Sequence, residues 1–179
     1  MKIKKTNTIL FIGLLLILSS FTSYIINRWN IEDGFRIHFS GNSVEGIFEK
    51  FKGEIIFNEN ALEVSNFSLI IEVESIATGN WLKNRHAKND KWLDADKYPN
   101  ITFKSTKFLK TAAGFAVKGI LTIHGIQKEI TIPFTFSNQI FKGNFSVNRM
   151  DYKIGNMEGM SKKVSNEIRI DFSVPVTRK

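Results

Sequence analysis

From Asn30 to the C-terminus, apolar residues recur at every second position. A period of two is the signature of a strand with one dry face, since successive side chains point to opposite sides. Ile168, Ile170, Phe172, Val174 and Val176 alternate with charged or small residues. Ile130, Ile132, Phe134 and Phe136 repeat the pattern, as do Phe141, Phe145 and Val147. So do Phe67, Leu69, Ile71 and Val73, the pair Ile101 and Phe103, and the set Phe115, Val117, Leu121 and Ile123. Ile47, Phe51, Ile55 and Phe57 share one face, and a short strand is expected near Phe35–Phe39. Together these make about eight strands.

Short links at Thr111–Gly114 and His124–Gln127 require antiparallel neighbours, because parallel strands need a long crossover. Gly53, Gly119 and Gly143 fall on the apolar side of their strands, which marks sharp bends or close approach. Eight such strands close into an all-β, up-and-down antiparallel barrel, with a two-sheet sandwich as the alternative. One insertion, about residues 79–95, lacks the period. There Asn80 is expected to cap a helix from Trp81 to about Lys88, and Asp90 a second turn ending near Asp94.

The N-terminus has a different character. Lys2, Lys4 and Lys5 precede an apolar run from Ile9 to Leu18, followed by Ser19, Ser20, Thr22 and Ser23. This is the order of a secretory signal peptide, so residues 1–23 are expected to be a leader and 24–179 the exported domain. An uncleaved anchor is the alternative, because no charge occurs from Thr6 to Asn27. The Lys residues ahead of the run keep the N-terminus inside in either case. The expected location is therefore the periplasm or beyond. The chain's formal charge of +8 is scattered, with no basic stripe, so a nucleic-acid partner is not expected. No Cys occurs, which removes disulfides, thiolate nucleophiles and Cys-ligated metals.

No nucleophile elbow, phosphate loop or zinc-protease motif is present. His38, His86 and His124 lie far apart in sequence. His86 with Asp90 and Asp94 is a candidate metal set, but such spacing is ordinary in a charged stretch. His124 beside Gly125 reads as a turn residue with a local hydrogen bond. Neither a cofactor nor an enzymatic activity is expected. A hydrolase or isomerase using His and Asp near the insertion is the alternative. The apolar face carries more information: an eight-stranded barrel either fills with side chains or holds one small ligand. The face that would wall such a space is Phe57, Phe67, Leu69, Ile71, Phe103, Phe134, Phe136, Phe145, Ile170 and Phe172.

Four blocks carry a family resemblance. The first runs from Gly46 to Phe57, and the second from Ser75 to Asn80, continuing through Asn84-Arg85-His86, Trp92-Leu93-Asp94 and Lys97–Ser105. The third is Lys118–Lys128 and the fourth Asn148–Gly155. In this order they resemble the YceI-like family and cover nearly all of Trp29–Val176. Two departures stand out: Trp29-Asn30-Ile31-Glu32-Asp33 matches the family's opening loosely, and Gln127 replaces a Thr often found in its turn. The resemblance implies an extended, lipocalin-like barrel exported to the bacterial periplasm. It also implies a long apolar tunnel for an isoprenoid chain, a quinone or another amphipathic lipid, with transient membrane contact. The motif residues themselves read as folding devices. Thr78-Gly79-Asn80 launches the insertion, Asp94 and Tyr98-Pro99 close it, and Arg149 and Asp151 are expected to pair.

Overall fold

The structure is a computed structural model that describes residues 26–155 and 158–179. The leader or anchor expected over residues 1–23 lies outside the described residues. Eleven strand segments and one helix follow in order: β1 (Arg28–Ile31), β2 (Arg36–Gly41), β3 (Val44–Phe48), β4 (Phe51–Ile56), β5 (Asn66–Glu72), β6 (Ile76–Ala77), α1 (Trp81–Lys88), β7 (Asn100–Thr111), β8 (Gly114–Ile123), β9 (Ile126–Ser137), β10 (Ile140–Asn148) and β11 (Glu167–Arg178).

Pairing reduces the eleven segments to eight long strands. β1 and β2 lie end to end along one edge of β11, at Trp29↔Arg178 and Phe39↔Ile170. β4 and β3 pair with them in turn, and β5 and β6 with those. The first three long strands are therefore broken in the middle, and the other five are continuous. Each long strand runs antiparallel to its chain neighbour, and β11 returns to β1 and β2, closing the barrel. No sandwich forms.

The breaks change which residues face inward. The period of two places Ile47 on the dry side with Phe51, but the kink at Glu49–Lys50 shifts the phase. Phe48 is the buried residue (7% exposed), and Ile47 faces out opposite His38 and Ala77. A similar shift follows β5. There a tight turn over Val73–Ser75 buries Val73 and then Ile76, held by the Ser75 hydroxyl donating to Glu72 O at 2.6 Å.

The inward glycines make room for aromatic rings. A Cβ on Gly143 would stand 2.3 Å from Pro133 O and 2.6 Å from the Phe172 ring, its partner across the ladder. A Cβ on Gly119 would stand 2.5 Å from the Phe103 ring.

The insertion starts as its sequence dictates. Asn80 Oδ1 accepts from the amides of Leu82 and Lys83, both at 3.0 Å, and α1 spans Trp81–Lys88. The turn after it is set by Asn89, not Asp90. Asn89 Oδ1 accepts from Lys91 N, and its carbonyl accepts from Trp92 N and Asp94 N. Asn84 Oδ1 accepts from the Thr78 amide at 2.8 Å and hydroxyl at 2.7 Å, fastening helix to strand.

Gly143→Ala has no space to relax into, because its obstacles are a backbone carbonyl and a packed ring. It is expected to destabilise the protein by roughly 1–3 kcal/mol, the usual range for overpacking, as measured by urea denaturation.

Candidate functional site: an apolar tunnel

The barrel interior is solid at one end and open along the rest. At the solid end Phe57, 1% exposed, is surrounded by the rings of Phe67, Phe108, Phe115, Phe134, Phe136 and Phe141, with centroids 5.1–6.2 Å away. Trp29 closes this cluster from outside. Its ring meets Phe136 edge-on at 5.1 Å, and its indole N–H donates to Phe57 O at 2.9 Å. Edge-to-face rings at these distances pack tightly.

Beyond the plug lies a chamber with a cavity volume of about 110 Å³, partly open to solvent. Its wall includes Phe67, Leu69, Ile71, Phe103, Phe134, Phe145, Ile170 and Phe172, with Ile37, Ile55, Val117 and Ile132 between them. Thr102 is the one lining residue that is not apolar. A second chamber of about 120 Å³ shares Ile101 and Ile170 with the first and continues toward the insertion. Phe39, Phe48, Ile76, Trp92, Leu93, Val147 and Ile168 line it. The two adjoin at these shared residues and make up the two halves of the tunnel region. Along β11 the lining runs from Val174 to Ile168, about 20 Å at the usual strand rise.

Eight of the ten residues selected by alternation stand in the first chamber's wall. Phe57 and Phe136 do not; they belong to the plug. Alternation reveals the side of a strand and says nothing about depth along the barrel. The second chamber was missed apart from Ile170. Part of its wall, Ile101, Ile123, Val147 and Ile168, lies on dry faces that alternation does identify, and the rest comes from the short broken strands, the insertion and the 149–166 connection, where the period of two fails. The dry-side positions at the ends of β8, β10 and β11 are the signal that points to it.

Above the second chamber sits Arg149, 2% exposed. It does not pair with Asp151, as its sequence spacing suggests; Asp151 meets Lys128 at 3.1 Å. Among the described residues the guanidinium instead donates to four carbonyls: Ile154 at 2.7 Å, Ser161 and Ser165 at 3.1 Å, and Val164 at 3.2 Å. Its outer face lies over the Trp92 ring at 5.6 Å. Burial pulls its pKa below the ordinary arginine range, and the carbonyl cage offsets that desolvation. Arg149 thus ties the segment from 149 to 166 across this end.

The histidines do not converge. His38 Nε2 lies 3.0 Å from Glu45 on the outer face. His124 Nδ1 is 3.1 Å from Tyr152 O, a contact 28 residues away in sequence and not the local turn bond expected. Its ring meets Tyr98 at 4.6 Å, and Gly125 leaves the space that the Tyr98 ring occupies. His86 lies on the exposed side of α1. Among the described residues no three His, Asp or Glu side chains gather as a metal site would require.

Comparison with known proteins adds the following. The family model described as a YceI-like domain matches residues 29–176. A UPF0312 protein of Vibrio parahaemolyticus is 32% identical over 100 residues, 55% of this chain and 53% of that one. The chain thus spans about half the length of that relative. A UPF0312 protein of Yersinia enterocolitica is 28% identical over 155 residues, covering 80% and 79% of the two chains. Among solved structures, Burkholderia cenocepacia BcnA superposes with a TM-score of 0.72 at 27% identity, over 80% of this chain and 96% of that one. A polyisoprenoid-binding domain from Saccharophagus degradans shares the fold, with a TM-score of 0.61 at 15% identity over 84% and 98% of the chains.

Two expectations follow from the plug, the tunnel and the Arg149 cage. Phe57→Ala should cost about 3–5 kcal/mol, as for a close-packed Phe, whereas Leu69→Ala, beside open space, should cost clearly less; thermal melts of the ligand-free protein compare them. Arg149→Met strands four carbonyl groups, so limited proteolysis should cut between residues 149 and 166 in this variant well before the wild type is cut.

Proposed function

We propose a function from one premise: the chain belongs to the YceI-like family, and its tunnel holds the hydrocarbon chain of an exported amphipathic lipid. The protein is then a non-enzymatic carrier or buffer in the periplasm. The observation that carries this reading is the tunnel wall. Over about 20 Å it offers hydrocarbon surface with Thr102 as the single polar lining residue in the first chamber, and no buried side-chain polar atom among the described residues lacks a partner. A wall of this kind selects by greasiness and length. Each buried CH₂ contributes about 0.8 kcal/mol, so ten contribute roughly 8 kcal/mol, enough to offset much of the cost of association. The polar end stays outside, in water.

The ligand class is an isoprenoid chain, a quinone or a similar lipid. The Saccharophagus degradans domain of the same fold, named for polyisoprenoid binding, supports the first of these. The carrier reading is also favoured over a hydrolase or isomerase by the separate engagement of His38 and His124. Loading such a ligand requires transient contact with a membrane. Trp81, 72% exposed at the start of α1 beside Lys83 and Arg85, is suited to an anionic lipid surface.

The deciding experiment is organic extraction of the purified protein followed by mass spectrometry. A long-chain isoprenoid or related lipid at near-stoichiometric amounts is expected from the wild type. Leu69→Trp, which projects a bulky ring into the first chamber, should lose it while melting within a few degrees of the wild type. Wild-type protein that yields no lipid and binds none added would defeat the reading.

A further inference from the structure

The barrel's ladder is incomplete on one side. β9 and β10 leave a two-residue turn at Asn138–Gln139, both with positive φ (50° and 59°), and pair only from Ser137↔Ile140 to Phe134↔Gly143. β9 extends back to Ile126 paired with β8 alone, and β10 continues to Asn148 paired with β11 alone. In an antiparallel ladder, hydrogen-bonded and non-bonded pairs alternate, and the pair flanking such a turn is bonded. Ser137, Thr135 and Pro133 therefore present their backbone groups toward β10. Pro133 falls where the next ladder N–H is required and supplies none. Beyond it, Thr131, Glu129 and Gln127 on one edge face Asn144, Ser146 and Asn148 on the other with no ladder pairing between them.

A closed barrel abolishes edges, so two facing half-edges in its wall are an exception to be explained. The inward residues along this seam belong to the tunnel: Ile132 and Phe145 line the first chamber, and Val147 lines the second.

We propose that the seam between β9 and β10 is the side door through which the hydrocarbon chain enters and leaves. This rests on the carrier reading above and adds the route. Entry at one end would require the Phe57 cluster to come apart, and at the other the chain would have to pass Arg149 and the insertion. Sideways entry breaks no ladder bond, because none is there, and it lays the chain along both chambers at once while the polar end remains among the unpaired N–H and C=O groups.

The chain contains no cysteine, which makes a direct test possible. Thr131 and Ser146 are both exposed and would oppose each other if the ladder continued. Thr131→Cys with Ser146→Cys, bridged by a short reducible bis-methanethiosulfonate, closes the seam from outside. The probe is fluorescently labelled geranylgeraniol offered in phosphatidylcholine vesicles. Bridging should slow uptake and release at least tenfold, with final occupancy little changed, and dithiothreitol should restore the rates. The control pair Lys104→Cys with Ile120→Cys, across a regular stretch of the β7–β8 ladder, should show no slowing. Exchange through the bridged seam at the control rate would overturn the side door and leave the carrier intact. Failure of the wild type to take up probe would remove both. Amide exchange needs no variant: Thr131 and Ser146 should exchange at least a hundredfold faster than Ile132 and Phe145, and protection of the first two would equally overturn the proposal.

Discussion

The structure depends on closure through β11. One edge of this strand pairs with β10 over nine residues, and the other is shared between β2 and β1. Without it the eight long strands would be an open, twisted sheet with an apolar face and two exposed edges, a form prone to association. With it the apolar face is turned inward everywhere. Breaking the first three long strands serves the same end. Each kink lets a strand follow the curve while neighbouring backbone bonds bridge the gap, as Glu49 N does to Ser75 O and Glu72 N to Lys50 O.

Given a closed cylinder, what remains to be set is how much of its inside is filled. The two ends are closed by opposite chemistry. Aromatic rings alone fill the end near Phe57, where the strands carry Phe at successive inward positions and water is excluded. At the other end two long connections, 78–99 and 149–166, must cross the opening, and their backbone groups need partners. Arg149 supplies donors to four of those carbonyls, while Asn80, Asn84 and Asn89 organise the insertion. The charge-assisted bonds to those carbonyls offset the desolvation of the cation. Between the two ends, the inward residues are too small in sum to fill the space, and the tunnel is what is left.

The residues that carry the family resemblance are mostly these folding devices. Gly125 exists to receive Tyr98, Asn84 to hold Thr78, and Arg149 to gather its carbonyls. The tunnel wall is written in interchangeable Phe, Ile, Leu and Val, because hydrocarbon recognition asks for volume and not for specific atoms. Family membership is therefore easy to recognise in such a sequence and ligand identity is hard. The outer face adds little to either. Its ion pairs, such as Glu72 with Lys50 and Lys52, which together lower the Glu72 pKa, are solvated and contribute weakly.

The sequence by itself determined the architecture. Strict alternation in β5, β9 and β11, tight turns at His124-Gly125, and Asn80 ahead of Trp81 each report a local rule that the fold obeys. It also determined most of the first chamber, since an inward residue in a regular strand can be recognised from parity. What only the tertiary structure decided are the facts of depth and neighbour. Parity does not distinguish Phe57 in the plug from Phe67 at the tunnel, because both alternate correctly. It fails at Phe48, where a kink resets the phase, and it is silent about Trp92 and Leu93, which reach the tunnel from a segment without period. The partners of Arg149, Asp151 and His124 lie across loops whose paths no local rule dictates. The open seam is the last such case. Pro133 is visible in the sequence, but its missing N–H matters only because register aims that position at β10.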